Sequence, residues 1–456
     1  MSEHPSGSLE RLFHAILVFF GKAGVDRAVG YTLLRQGWAM ASLPVTLYLV
    51  TTYFSKEIQG FYFTFASLLF LQTFVELGFG TVMLQFVSHE WAQLHLNDRN
   101  EIEGAPEASS RLASIIRLAL KWYLVMGGVF FFMVGVSGDI FLSQHATDIS
   151  YRAPWWLLCA FVSLSFLLVP LRGVLEGSNR IEVSQKTQLV SGIVSSVAGW
   201  IAIFYGAGLF ALAVINGISV LVSYVLLIPL FRPYSRLVSG RAAGEVISWR
   251  KEFWPLQWKM GISWLCGFFM FQSFVPFMFH FHGPVVAGRM GATLAVYNTV
   301  NAFAQSWVYA ASPLMGMLSA RGDFQSLVAL VRKTYIRTVV VSTLLAVCAL
   351  LAIWGMRSAG LPQAERFGEP AIIAILLLAA VAMQLPNVET QAIRFQKKEP
   401  FVKVSVFSAA LVILSNVFLG RHYGMTGVVA GFAAVMALYL IPACHIIYKN
   451  EMQAVR

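Results

Sequence analysis

The stretch LQTFVELGFG, residues 71–80, places Gln72 and Glu76 inside a run from Phe61 to Val87 that is otherwise almost wholly apolar. At ~1.5 Å per residue such a run crosses the ~30 Å of a bilayer's hydrocarbon. An ionised carboxylate there costs about 2.5–3.5 kcal/mol even on the forgiving insertion scales, so an intramembrane Glu is a functional candidate by default. Gln72 and Glu76 are one helical turn apart and share a helix face.

The rest of the chain resembles this run in character. Of 456 residues, 57% are hydrophobic and 12% charged, and the mean hydropathy is +0.68. Soluble domains carry about 25% charged residues, so the composition is that of a polytopic membrane protein. The net charge of +11 does not mark a nucleic-acid binder, because the basic residues fall in short tracts between apolar runs. Cys159, Cys266, Cys348 and Cys444 lie in four different runs with no CxxC spacing, which excludes a disulfide framework or zinc site and leaves packing as their role. LFHAILVFF, residues 12–20, lacks a small-residue cleavage site and reads as an interfacial amphipathic helix.

Runs and breakers place twelve spans near 29–54, 59–87, 113–136, 153–175, 185–205, 208–231, 260–281, 288–318, 334–356, 371–393, 402–419 and 425–447. Only Lys56, Arg152, Arg289, Arg357, Arg366 and Arg421 fall in one set of loops; most other basic residues fall in the opposite set and the tails. The positive-inside rule therefore puts both termini in the cytoplasm. The expected architecture is all-α and integral to the membrane, with about 12 transmembrane helices in two six-helix lobes. Its parts are a cytoplasmic arm at 1–28, an N-lobe at 29–231, a basic cytoplasmic linker at 232–259, a C-lobe at 260–448 and a tail at 449–456.

An internal repeat supports the two halves. A forward shift of 229 sets Gln72 on Asn301 and Glu76 on Gln305, and a shift of 216 sets Pro170 on Pro386. Parallel halves imply lobes related by an axis along the membrane normal. Tyr297, Asn298, Asn301 and Gln305 share one face of the eighth span. With Arg35, Gln36, Gln72, Gln272, Gln384 and Asn387, they place polar groups in several spans of both halves. Either these face a common cavity between the lobes, or they hydrogen-bond between helices within a lobe, at about 0.6 kcal/mol per contact. Pro44, Pro170, Pro276, Pro313 and Pro386 are candidate kinks, as hinges or as static bends. The spacings Ser191-Ser195-Gly199 and Gly427-Gly431 read as helix packing.

Arg35, Arg117, Lys121, Arg172 and Lys259 lie at or within the inner third of their spans. They either snorkel to the interface or form a cationic vestibule for a phosphate or diphosphate headgroup. There is no Walker A loop, no HExxH and no loop large enough to house an enzyme's chemistry.

Four segments carry a family resemblance: FASLLFLQTFVELGFGTVMLQFVSHEWA, LRGVLEGSNRIEVSQKTQLVSG, GISWLCGFFMFQSFVPFMFHFHGPVVAGRMG and SPLMGMLSARGDFQSL. In order and spacing the chain resembles, over roughly 29–448, the polysaccharide transporter (Wzx-like) flippases of the multidrug/oligosaccharidyl-lipid/polysaccharide (MOP) superfamily. The resemblance implies a flippase of the bacterial inner membrane that moves undecaprenyl-diphosphate-linked oligosaccharide (an O-antigen, capsule or exopolysaccharide unit) to the periplasmic leaflet by alternating access. It implies Glu76 and Gly78 as the family's acidic-glycine pair, with Glu76 as the ion-coupling candidate, and Arg35, Arg117, Lys121 and Arg172 as diphosphate ligands. The expected partners are the lipid-linked substrate, membrane lipids, and the polymerase and glycosyltransferases of the same glycan; no nucleic acid is expected. No cofactor or metal is expected beyond a proton or sodium gradient. The alternative is a cation-coupled multidrug exporter of the same fold; a non-transport scaffold or membrane enzyme subunit has no positive feature.

Overall fold

The computed structural model describes residues 27–453, apart from 77–78, 98, 146–148, 240–248, 250–253, 321 and 395–399. The interfacial helix expected at 12–20, Gly78, most of the linker, and Lys397 and Lys398 lie outside the described residues.

The described chain crosses twelve times. Span 1 is α1 (Arg27–Tyr53) and span 2 is built from α2 (Lys56–Leu69), α3 (Gln72–Glu76) and α4 (Phe79–Trp91). A short hairpin, β1 (Leu94–Leu96) against β2 (Ile102–Gly104), leads into span 3: α5 (Pro106–Val129), a π-helical turn and α6 (Gly135–Ser143). Span 4 is α7 (Arg152–Ser165) with α8 (Leu168–Gly177), span 5 is α9 (Ile181–Phe204) and span 6 is α10 (Phe210–Leu230). After α11 (Arg232–Ser239), α12 (Trp254–Phe271) begins span 7. The helix α13 (Phe274–Ala320) completes it and, past a break at Gly283, forms span 8. Span 9 is α14 (Phe324–Ser358) and span 10 is α15 (Pro370–Ala382) with α16 (Gln384–Arg394). Spans 11 and 12 run through α17 (Val402–Ser415), α18 (Arg421–Val435) and α19 (Ile441–Gln453), joined by π-helical turns. Ranges exceed the expected spans at most ends because the helices continue into the interfacial zones.

Proline sets the breaks in spans 4, 7 and 10. Its ring clashes with the carbonyl four residues earlier and it donates no hydrogen bond. Span 4 breaks at Phe166–Leu167 before Pro170, span 7 at Gln272–Ser273 before Pro276, and span 10 at Met383 before Pro386. The breaks of spans 4 and 10 match under the same shift of 216 that aligned their prolines, so the repeat is expressed in helix geometry. Pro44 and Pro313 sit in unbroken helix.

The two halves meet on an axis at the outer face. Gly60 of span 2 and Gly288 of span 8 cross backbone to backbone: a Cβ at Gly60 would fall on the Pro284 carbonyl, and one at Gly288 would stand 2.9 Å from the Gly60 nitrogen. The amide of Gln59 donates to the carbonyl of Gly288 at 2.9 Å, a residue 229 positions on and hence its own repeat equivalent. Repeat-equivalent positions touch only on the axis that relates them. Gln59 also donates to the Arg366 carbonyl, and Arg366 to the Phe54 carbonyl at 2.6 Å. Phe61 packs edge-on against Phe279, and His280 Nδ1 lies 2.7 Å from Gln144 Oε1. Gly283 and Gly424, with φ of 80° and 57°, make the sharp outer turns between spans 7 and 8 and between spans 11 and 12. A non-glycine residue is strained at such φ. The lobes are thus sealed on the outer side.

Two outcomes test the seal. Gly60→Val overpacks the crossing at a cost of about 1–3 kcal/mol, read as a lower thermal unfolding temperature in detergent; an unchanged temperature would mean that the crossing slides freely. At the rim, the hydrogen bond from Lys56 and its charge hold the Glu365 carboxyl below the ordinary 4.5. A depressed carboxyl contributes fully above the ordinary value and loses its contribution as pH falls through the folded one. The contribution of this pair to closure, measured by outer-face labelling, should therefore be lost only below about pH 4.5, and Lys56→Gln should remove that low-pH component.

Candidate functional site

A cavity of about 410 Å³ lies inside the N-lobe between spans 1, 4, 5 and 6, with Arg35, Trp38, Arg172, Gln188, Ser195 and Ser219 in its wall. The break before Pro170 aims α8 so that Arg172 enters from span 4, while Arg35 enters from span 1. Arg172 donates to the buried Ser223 Oγ at 3.0 Å, and its Nε is buried without a hydrogen-bond partner. Arg35 Nε donates to Gln185 Oε1 at 2.8 Å. One carboxylate answers these two cations. Glu176, one turn beyond Arg172 on α8, accepts from Ser184 at 2.7 Å, from Gln185 at 3.3 Å and from Gln188 at 3.4 Å through Oε1. Arg172 feels the attraction of Glu176 and the repulsion of Arg35. The site thus carries two guanidiniums and one carboxylate, a net positive charge in a partly desolvated place. Its edge along span 1, at Ala39 and Leu43, is apolar and exposed.

Glu76 stands in a second N-lobe arrangement. The hydroxyl of Tyr123, from span 3, donates to Glu76 Oε1 at 3.0 Å. Gly80 makes room for the pair, since a Cβ there would stand 2.9 Å from Glu76 Oε1 and 3.1 Å from the tyrosine oxygen. In the C-lobe, Gln384 Nε2 donates to Asn301 Oδ1 at 3.0 Å, joining spans 10 and 8. Gln384 is buried; Asn301, Gln305 and Asn387 are half-buried and Asn298 is exposed. Gln36 and Gln72 are half-buried on spans 1 and 2, and Gln272 is half-buried at the break in span 7. Arg117 and Lys121 are exposed on one face of span 3 and do not line the N-lobe cavity. The structure therefore brings together Arg35 with Arg172, and Asn301 with Gln384.

Sequence reasoning passed over Gln185, Gln188 and the serines of α9. The signal was there: Ser184, Gln188, Ser191 and Ser195 follow a helical period along one face. Read as packing, that face proves divided. Ser191 and Ser195 line the cavity, whereas Gly199 packs against the Ile215 side chain.

No protein-family model matches the chain, and no curated protein matches it. Solved structures do. The lipid II flippase MurJ in an inward closed conformation superposes with a TM-score of 0.61 at 12% identity, covering 93% of this chain and 90% of that one. An inward-facing multidrug resistance MATE family transporter of the MOP superfamily gives 0.60 at 10% identity over 93% and 98%. A MOP superfamily transporter from Pyrococcus furiosus, described as having a binding pocket of reverse polarity, gives 0.51 at 11% identity over 94% and 97%. At these identities the likeness is one of fold: the chain has the two-lobed, twelve-helix fold of MOP superfamily transporters.

The site's polar contacts make a stability prediction. Tyr123→Phe removes the Tyr123 donor from Glu76, and Glu176→Gln removes the carboxylate that accepts from Ser184, Gln185 and Gln188 behind the cavity. A hydrogen bond to a charged group contributes about 1.5–3 kcal/mol, so each variant should lower the unfolding temperature measurably; unchanged melting of both would show these groups to be solvated.

Proposed function

We propose that this protein is a flippase for undecaprenyl-diphosphate-linked oligosaccharide, an O-antigen, capsule or exopolysaccharide unit, and that it works in the bacterial inner membrane. The observation that carries the reading is the pair of guanidiniums, Arg35 and Arg172, turned into one N-lobe cavity, with Glu176 reaching it only through Gln185 and Gln188. Guanidinium forks match phosphate oxygens two at a time, and an anionic headgroup would complement a site that is otherwise cationic. The volume of about 410 Å³ is at the small end for ligand pockets. It suits a diphosphate with its first sugar, not a whole oligosaccharide, so the glycan would extend toward the cleft between the lobes. The exposed apolar edge at Ala39 and Leu43 offers the prenyl chain a way out to lipid.

The sealed outer face corresponds to loading from the cytoplasm. Opening the Gly60–Gly288 crossing while closing the inner side would deliver the headgroup outward. Glu76 with Tyr123 is the candidate for coupling this cycle to a proton or sodium gradient, since a lone carboxylate in a span is costly unless it titrates or binds a cation. The glycosyltransferases and polymerase of the same glycan would act before and after it.

Binding decides the matter. Purified protein should bind farnesyl diphosphate, and Arg35→Ala or Arg172→Gln should weaken it about 10- to 100-fold, the worth of one charge-assisted hydrogen bond. Tight binding of a lipophilic cationic dye, indifferent to both substitutions, would favour the multidrug exporter instead. In cells Glu76→Gln should abolish glycan export; full export would remove Glu76 from the coupling role.

A further inference from the structure

The C-lobe holds a carboxylate that the proposed cycle does not use. Glu389 lies on α16 with only 2% of its surface exposed. Its Oε1 is 2.6 Å from His445 Nδ1 on α19, and its Oε2 is buried with no hydrogen-bond partner. An intramembrane acid with one oxygen unanswered is poorly compensated as an anion. Its partner differs in setting, because the His445 side chain is 47% exposed. Both residues stand toward the ends of their spans that the positive-inside rule places in the cytoplasm. A buried carboxylate is thus connected through one imidazole to the inner side.

The other neighbours do not settle the charge of Glu389. Span 9 packs on α16 with Val331, Thr334 and Thr338 buried, and its Arg332, Lys333 and Arg337 are exposed. Span 8 meets α16 with the neutral Asn301, and α15 carries no charge. On α19, Cys444 is buried and Lys449 exposed, and on α16 itself Arg394 is exposed at the last turn.

The segment carrying Glu389 also begins at a kink. The break at Met383 lies between α15 and α16; Gln384, the first residue of α16, donates both to the Ala380 carbonyl of α15 and to Asn301 of span 8, and in its middle Glu389 pairs with His445 of span 12. Span 8 is the helix whose Gly288 makes the outer seal.

We propose that Glu389 and His445 form a proton-binding site reached from the cytoplasm, whose occupancy sets the position of α16 and, through Gln384 and Asn301, of span 8. One proton enters. Imidazole Nε2 takes it from inner-side water, Nδ1 passes its own proton to Oε1, and the pair changes from a carboxylate and neutral imidazole to a carboxylic acid and neutral imidazole. The hydrogen bond then runs from acid to ring, and α16 loses the anion that fixed it.

The test needs no substrate, so it stands apart from the flippase reading. Spin labels at Tyr53 and Leu361, both exposed at the outer rim, report the seal in reconstituted full-length protein as pH is varied above about 5, clear of the Lys56–Glu365 pair. Over that range the wild-type distance distribution should shift with pH in a single transition. Glu389→Gln should hold one distribution throughout the range, and His445→Gln, at a half-exposed position that tolerates change, should move the midpoint by about one unit or more. A distance that does not respond to pH in the wild type, or a midpoint untouched by either substitution, overturns the proposal.

Discussion

The contact of Gly60 with Gly288 governs the molecule. Two helices in lipid gain little from apolar side chains alone, since the bilayer is as apolar as they are; close backbone approach through small residues is what holds them. Here that approach falls on the axis relating the halves, where Gln59 reaches the carbonyl of its own equivalent. The contact seals the outer face. Lower down, Phe74 of span 2 packs on Phe268 of span 7, and Trp122 of span 3 stacks on Trp249 of the linker.

Each ionisable group in the spans is handled in its own way. Glu76 is given a tyrosine hydroxyl, Glu176 three neutral donors and the nearby charge of Arg172, and Glu389 a single imidazole. The N-lobe therefore concentrates positive charge in a cavity, and the C-lobe keeps a lone acid near the inner side. Such asymmetry between halves of one repeat is what a carrier needs if one lobe engages an anionic headgroup and the other responds to protons.

Much of the fold could be read from the chain. Apolar runs of membrane length, basic loops on alternate sides and the matching prolines at 170 and 386 gave twelve spans in two halves, because bilayer thickness and backbone satisfaction leave few other solutions. The site was only half visible. Arg35 and Arg172 stood out as cations inside spans, yet nothing in their spacing separated them from Arg117 and Lys121, which are exposed and do not line that cavity. Helix rotation makes that difference, and it depends on which neighbour each face finds.

What the sequence by itself determined is the number and order of the spans and the set of prolines from which three of the breaks are drawn, since these follow from hydrophobic length and backbone chemistry. Only the tertiary structure decided that Arg35 and Arg172 share a cavity, that Gln384 ties span 10 to Asn301, and that Glu389 finds His445. Those pairings join residues far apart in the chain, and the packing of whole helices alone brings their side chains within a few ångströms.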